Sequence, residues 1–263
     1  MKNILYCVLL LILVGDAGCF SQEEKTSTSK ETSKTTQPNP ITLSLPVCTE
    51  LPMLGEDSSY GHASSLKFLL WPEDKRILYV SFISGSEEIK NKVEAIAKEW
   101  ERCCGMTFDF HSNNKADISI DFQPGGSWSF IGISSAEKVP SMNLGWLNAD
   151  TKEEEFRHVV LHEFGHALGL IHEHQNPKNN PIQWNKDLVI AYYQSEPNHW
   201  SLDAIERNIF KKYQDLQING STFDSLSIML YAFPKEFTRN GYTTHRNFNL
   251  SEQDKEVMKL LYP

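Results

Sequence analysis

Residues 162–172 read H-E-x-x-H-x-x-G-x-x-H, and this stretch constrains the fold more than any other part of the chain. His162 and His166 are four residues apart, so on a helix their side chains leave the same face one turn apart. Continuing the same straight helix would carry His172 round to a different face. Gly169 lies between them, and glycine adopts left-handed backbone conformations freely. We therefore predict a helix that ends at Gly169 and a chain reversal that brings His172 back to the two helical histidines.

The same stretch supplies the chemistry of a catalytic metal site. Three imidazoles leave the fourth position of a tetrahedral zinc ion open, as catalytic zinc sites require. Glu163 follows the first histidine, so it can take a proton from water without being a ligand itself. His174 is close in sequence, but a fourth imidazole would close the open position. The alternative of two surface histidines on an ordinary helix leaves the glycine and the third histidine unexplained. We therefore predict one Zn²⁺ ion, with the ligands His162, His166 and His172.

The start of the metal-binding helix also has a sequence signal. Asp150 with Glu153 resembles a capping box, which predicts that Asp150 is the N-cap. Along the helix, the apolar residues share one side and the histidines lie on the other, so we predict a core face and a ligand face. The apolar stripe consists of Phe156, Val160, Phe164 and Ala167.

The rest of residues 66–263 predicts an α+β domain with a small mixed sheet. Residues 77–83 are β-branched and aromatic and predict a strand, and 87–102 have the apolar spacing of a long amphipathic helix. Residues 106–110 and 118–122 predict two further short strands, and 128–133 a fourth strand or a loop. After His172 the helical patterns are 186–193, 202–213 and 250–261. The order of strand, helix, strand and strand predicts a small mixed sheet with a helix packed on it.

Residues 139–147 predict one more strand, just before the metal-binding helix. Running past the metal, it would offer an exposed edge that pairs with an extended peptide through main-chain hydrogen bonds. The alternative is an ordinary short strand with Trp146 buried. The predicted edge residues are Ser141, Met142, Asn143 and Leu144.

Composition and the N-terminus set the class of protein. The net charge is −9, from 34 acidic and 25 basic residues, which argues against nucleic acid or an anionic membrane as a partner. Lys2 and the apolar run 4–14 predict an export signal over residues 1–19, with no membrane span. Cys19 leaves open a lipoprotein signal. Residues 20–65 predict a disordered spacer or a pro-segment, and we expect a monomer.

The cysteines outside the signal region are Cys48, Cys103 and Cys104. Neighbouring cysteines pair with each other only under strain. The sequence leaves open a disulfide from Cys48 to one of the other two, an inert Cys48, and a Cys48 thiolate that ligates the zinc in a latent form.

The motifs together resemble the astacin family of metzincins, over residues 67–263, in a minimal single-domain bacterial-type form. Glu173 directly follows the third histidine, as in the astacin form of the zinc motif. Residues 227–231 are similar to the family's S-I-M-x-Y turn, in which a methionine lies under the ligands and a tyrosine approaches the metal. Residues 129–132 with 139–144 resemble its approach to the substrate-binding strand. The chain departs from the family at residues 175–177 and in having no cysteine after Cys104.

This resemblance implies a metzincin-like catalytic domain, with the sheet and two long helices in an upper part, a mostly irregular and helical lower part, and the zinc in the cleft between them. It also implies a zinc endopeptidase acting on peptides or proteins. Glu163 is then the general base, Tyr231 hydrogen-bonds the developing oxyanion, and Gly169, Met229 and Glu173 are structural residues near the site. Two alternatives remain open: an exported non-catalytic binding protein whose zinc is structural, and a matrixin-like metzincin.

Overall fold

The computed structural model describes residues 69–213 and 222–263. The predicted signal sequence, the spacer or pro-segment over residues 20–65 and Cys48 lie outside the described residues, so these remain predictions. Among the residues described, Cys103 and Cys104 form no disulfide. Their thiols lie 3.1 and 3.3 Å from the Trp100 carbonyl oxygen, and burial raises the pKa of Cys103 to about 11.

Five short strands form one mixed sheet, as the sequence predicts. They are β1 (Ile77–Phe82), β2 (Thr107–Asp109), β3 (Ile118–Asp121), β4 (Ser127–Ser129) and β5 (Met142–Leu144). Their order across the sheet is β2-β1-β3-β5-β4, and β4 alone runs antiparallel to its neighbour. The strands β3, β4 and β5 are buried or half-buried along their whole length, whereas β1 and β2 also contain exposed residues.

Two long helices pack against each other, and the second also packs against the sheet. The first, α1 (Glu87–Ala97), is capped by the Ser86 hydroxyl, and a turn at Trp100–Arg102 follows it. The second, α2 (Glu153–Ala167), carries the metal-binding motif. Trp100 is fully buried between them, and its indole N–H donates to the Leu161 carbonyl at 3.1 Å. A buried core side chain is therefore hydrogen-bonded to the backbone of the residue before His162.

The predicted start of α2 is wrong, whereas its predicted core face and ligand face are confirmed. Phe156, Val160, Phe164 and Ala167 lie in the hydrophobic core, and the helical histidines lie in the ligand cluster. The helix begins at Glu153 after Lys152, and no side chain caps it. The Asn148 side chain instead accepts from the Asp150 N–H at 2.9 Å, so Asp150 belongs to a turn that precedes the helix. From His158 to Ala167 every residue is buried. The sheet covers one side of the helix and the second half of the chain covers the other.

The second half of the chain is irregular with short helices, as predicted. It contains α3 (Lys186–Gln194), α4 (Leu202–Ile205) with a wide turn at Glu206–Phe210, and α5 (Glu252–Leu261). A capping box between Ser251 and Asp254 starts α5, which satisfies backbone N–H groups at the helix end. Across residues 69–213 and 222–263, no helix combines the length and apolar character needed to cross a membrane.

The predicted exposed edge at Ser141, Met142, Asn143 and Leu144 is wrong. β5 lies inside the sheet, paired with β3 on one side and β4 on the other. All four residues are buried, and Ser141 exchanges hydrogen bonds with Ser119 on β3. The chain places β4 at the periphery first and then returns to insert β5 between β3 and β4. The edge of the sheet on this side is therefore β4.

Candidate metal centre

The three predicted ligands meet at the end of α2. His162 and His166 lie one turn apart on the helix, and the chain reverses so that His172 joins them. One ring nitrogen from each histidine lies within 4.8 Å of the other two. The Nε2 atoms of His166 and His172 are 3.0 Å apart, so these two rings converge on one point. The arrangement has the size and the ligand type of a three-histidine zinc site.

Gly169 makes the reversal, as the sequence predicts. Its φ is +100°, a backbone conformation that residues other than glycine rarely adopt. Gly169 N–H donates to the His166 carbonyl at 2.8 Å and Leu170 N–H to the Gly165 carbonyl at 2.9 Å, the two bonds of a Schellman helix end. A Cβ at position 169 would also lie 2.7 Å from Leu70 Cδ2. Both the conformation and the space at this position require glycine.

Backbone carbonyls set the protonation of two ligands. His162 Nδ1 lies 2.9 Å from the Ile228 oxygen, and His166 Nδ1 lies 2.9 Å from the Leu170 oxygen. A carbonyl only accepts, so each Nδ1 carries the proton and each Nε2 presents a lone pair. His162 Nε2 is buried and has no hydrogen-bond partner among the described residues. A buried lone pair of this kind is costly to leave unmatched, and a metal ion at the cluster matches it. The residues fit zinc.

The surroundings keep the imidazoles neutral, as metal ligation requires. Burial lowers the pKa of His162 and of His172 well below the ordinary value of 6.5. The neighbouring ligand rings lower both further. Hydrogen bonding to the Ile228 carbonyl at His162, and to the Gln175 side chain at His172, opposes the shift.

Glu163 and Glu173 are buried carboxylates beside ligands, in different settings. Glu163 follows His162 on α2 and is 1% exposed. Glu173 Oε1 accepts from Asn176 Nδ2 at 3.0 Å and from the Asp224 N–H at 2.9 Å. Burial raises the pKa of Glu173 to about 8 against these hydrogen bonds. Glu173 therefore ties the segment after the third ligand to the segment before the Ser227 turn.

The turn at Ser227–Tyr231 contacts the ligands from the second half of the chain. A Cβ on Gly165 would lie 2.5 Å from Met229 Sδ, so the methionine lies against α2 at the residue before His166. The Met229 carbonyl accepts from the Glu173 N–H at 3.0 Å. The Tyr231 ring lies 4.3 Å from the His172 ring and 5.9 Å from the His162 ring, centroid to centroid. The methionine and the tyrosine of the S-I-M-x-Y segment therefore both lie at the metal centre.

His174 is not part of the ligand cluster that the described residues form. It is fully buried and stacks on His172 at 5.3 Å. Its Nε2 donates to the Asn208 carbonyl at 2.8 Å. The extra histidine is held by the second half of the chain, which leaves three imidazoles for the metal.

Sequence reasoning missed the groups that orient the ligands. The Ile228 and Leu170 carbonyls have no sequence signature, because any residue offers one. Asp254 holds the Ser227 turn, accepting from Ser227 Oγ at 2.7 Å and from the Ile228 N–H at 2.9 Å. The S-x-x-D pattern at the start of α5 marks Asp254 as a capping residue, but nothing in the sequence connects it to the metal centre.

Comparisons with known proteins agree with this geometry. Zinc metalloproteinase nas-23 of Caenorhabditis elegans is 25% identical over 189 residues, which cover 70% of this chain and 32% of that protein. The chain thus spans about a third of the length of that relative. The structure of myroilysin is similar with a TM-score of 0.71 and 35% identity, covering 75% of this chain and 97% of the other. High choriolytic enzyme 1, a hatching enzyme zinc-protease from the medaka Oryzias latipes, shares the fold at 19% identity and a TM-score of 0.54, covering 78% of this chain and 98% of that one.

The family comparison reaches further along the chain than the metal-binding motif does. The sequence model of the peptidase family Astacin matches residues 64–258. That range includes the sheet, both long helices, the three ligands and the Ser227 turn. It decides against the matrixin-like alternative, and the chain belongs to the astacin family.

Proposed function

We propose that this chain is an exported zinc-dependent endopeptidase with its catalytic domain over residues 66–263. The observation that carries the proposal is the cluster of three buried imidazoles whose ligand atoms lie within 4.8 Å of one another, with Glu163 beside it on the same helix. A structural zinc site would use four protein ligands. The cluster among the described residues has three, which favours an enzyme over a non-catalytic binding protein.

The residues have separate parts in the proposed reaction. His162, His166 and His172 hold the zinc ion, which when bound polarises the scissile carbonyl and lowers the pKa of water. Glu163 takes a proton from the attacking water and passes it to the leaving nitrogen. Its position next to His162 and its burial, which strengthens electrostatic interactions, support this part.

Tyr231 is the proposed electrostatic stabiliser. Its phenolic O–H donates a hydrogen bond to the oxygen of the scissile carbonyl as negative charge develops there. The separation of 4.3 Å between the ring centroids of Tyr231 and His172 supports this part. The same ring also packs on His174 and Phe233, and these contacts restrict its position.

The substrate is a peptide or protein segment in extended conformation. β4 supports this, because it is an outer strand of the sheet and lies against α2. An extended peptide can add to such an edge through main-chain hydrogen bonds. We expect the chain to act as a monomer, since the ligands and Glu163 all come from one chain.

Hydrolysis of an unfolded protein such as casein tests the proposal. The purified chain should cleave it, lose activity when a chelator removes the metal, and regain activity when zinc is added back. Binding of zinc without cleavage of casein or of a mixed peptide library would instead identify a binding protein.

Export rests on Lys2 and the apolar run of residues 4–14. When the full chain is expressed in a bacterium, we expect the exported protein to begin after residue 19. Mass spectrometry of the mature N-terminus measures this, and acyl groups on Cys19 would show a lipoprotein. A cytoplasmic product that retains Met1 would contradict export.

A further inference from the structure

The Ser227 turn, residues Ser227–Tyr231, is hydrogen-bonded both to the ligand His162 and to the residue that follows the ligand His172. The Ile228 carbonyl accepts from His162 Nδ1 at 2.9 Å. The next carbonyl, of Met229, accepts from the N–H of Glu173, the residue after His172, at 3.0 Å. A shift of this turn would therefore move the hydrogen-bond partner of the first ligand and the backbone of the third together.

One carboxylate on α5 holds this turn in place. Asp254 Oδ1 accepts from Ser227 Oγ at 2.7 Å, and Oδ2 accepts from the Ile228 N–H at 2.9 Å and the Ser251 N–H at 2.9 Å. Ser227 Oγ in turn accepts from the Met229 N–H at 3.1 Å. Asp254 is 6% exposed, so little water is available to replace these bonds.

We propose that Asp254 is a positioning residue of the metal centre, acting on His162 through the Ser227 turn. The N–H and the carbonyl of Ile228 belong to successive peptide groups, so the carboxylate acts by fixing the backbone at Ile228. With that backbone fixed, the Ile228 carbonyl keeps the His162 ring in the orientation and tautomer that present Nε2 to the metal. Groups that orient metal ligands in this way contribute to metal affinity.

This inference rests on zinc binding at the three histidines, and the measurement is affinity for zinc, not peptide cleavage. Competition with a chromophoric chelator should show that Asp254→Ala weakens zinc binding by about tenfold, the lower end of the range for orienting groups. Asp254→Asn keeps an oxygen for the two N–H groups and an amide for Ser227, so its affinity should stay closer to that of the unaltered chain.

Met258→Ala is the matched control. Met258 lies one turn further along α5 and is fully buried in the core. Its side chain is apolar, so it does not hold the turn by a charged hydrogen bond as Asp254 does. Both alanine variants should unfold at a lower temperature than the unaltered chain. Measured well below those temperatures, only Asp254→Ala should lose zinc affinity. Equal zinc affinity in Asp254→Ala and Met258→Ala would overturn the inference.

Ser227→Ala tests the same link if Asp254→Ala does not fold. It removes the hydroxyl that joins Asp254 to the Met229 N–H, and it should also weaken zinc binding. Unchanged zinc affinity in Ser227→Ala would then count against the inference. Absence of zinc binding by the unaltered chain would be a failure of the proposed function instead.

Discussion

Glu163 and Tyr231 come to the metal centre from different parts of the chain. Glu163 lies on α2, and Tyr231 ends the Ser227 turn, whose Met229 contacts that helix at Gly165. Both are buried, where electrostatic interactions are stronger than in water. Their proposed parts differ: one moves a proton, and the other stabilises charge in the transition state. Substitutions that change one functional group each can therefore separate the two.

Glu163→Gln should retain zinc and lose peptide cleavage. The amide keeps the size of the side chain but cannot accept the proton, and general-base catalysis typically contributes about 10²–10⁴-fold. Steady-state cleavage of a fluorogenic peptide, with zinc content measured by atomic absorption, checks both points. Glu154→Gln, at an exposed position on the same helix, is the control and should cleave normally. Cleavage by Glu163→Gln at the rate of the control would refute the assignment.

Tyr231→Phe should lower kcat far more than it raises KM. Removing one donor to a developing oxyanion costs about 10²–10³-fold in kcat. The phenylalanine ring keeps the packing against His172 and Phe233, so stability and zinc content should change little. A loss confined to KM would point to substrate contact in the ground state.

At the scale of elements, one side chain of β5 helps to hold the turn that leads into β4. Asn143 Oδ1 accepts from the Gln123 N–H at 2.9 Å, and its Nδ2 donates to the carbonyls of Gln123 at 3.0 Å and Gly126 at 2.8 Å. These bonds fix the turn between β3 and β4. Asn143 thus contributes to the substrate edge, although its own strand lies inside the sheet.

Asn143→Ala should raise KM for peptide substrates more than it lowers kcat. Without the amide, the turn before β4 loses three hydrogen bonds and the edge strand is less well ordered before a peptide pairs with it. The metal ligands lie on other elements, so zinc content should be unchanged. Asn114→Ala, in an exposed loop, is the matched control. A fall in kcat alone would contradict a role in forming the edge.

At the scale of the whole molecule, the metal centre lies where the two halves of the domain meet. α2 packs against the sheet and α1, while the Ser227 turn and α5 approach it from the second half. Zinc bound here stabilises only the folded chain, because the unfolded chain does not hold the three imidazoles together.

Removing zinc should therefore lower the Tm of the whole domain. At a zinc concentration of 100 times Kd, binding contributes about 2.7 kcal/mol, which for a domain of this size corresponds to roughly 5–10 °C. Differential scanning calorimetry with and without zinc measures the shift. His162→Ala, which lacks a ligand, should show little or none of it. A Tm independent of zinc in the unaltered chain would mean that the cluster binds zinc weakly or not at all.

The ligand cluster and the reversal at Gly169 could be predicted from residue patterns, and the approach of Met229 and Tyr231 from the family resemblance. Each depends on local geometry or on a motif with fixed spacing: helical periodicity pairs His162 with His166, and only glycine accepts the backbone conformation at 169. The helices α3 and α5 of the second half also followed from local patterns, whereas the helix predicted over 202–213 is α-helical only over Leu202–Ile205 and continues as a wide turn to Phe210.

Which strand forms the edge, and which groups orient the ligands, depend on contacts between segments distant in sequence. β4 and β5 are both three-residue strands, and their order is set by pairing with β3, so the predicted edge fell on the inner strand. Asp150 is not the N-cap of α2, because it belongs to a turn in which its N–H donates to the Asn148 side chain. Asp254 lies far from the ligands in sequence and reaches His162 through the backbone of Ile228. Main-chain carbonyls and long-range hydrogen bonds leave no residue pattern, so their part in the metal centre becomes visible only once the chain is folded.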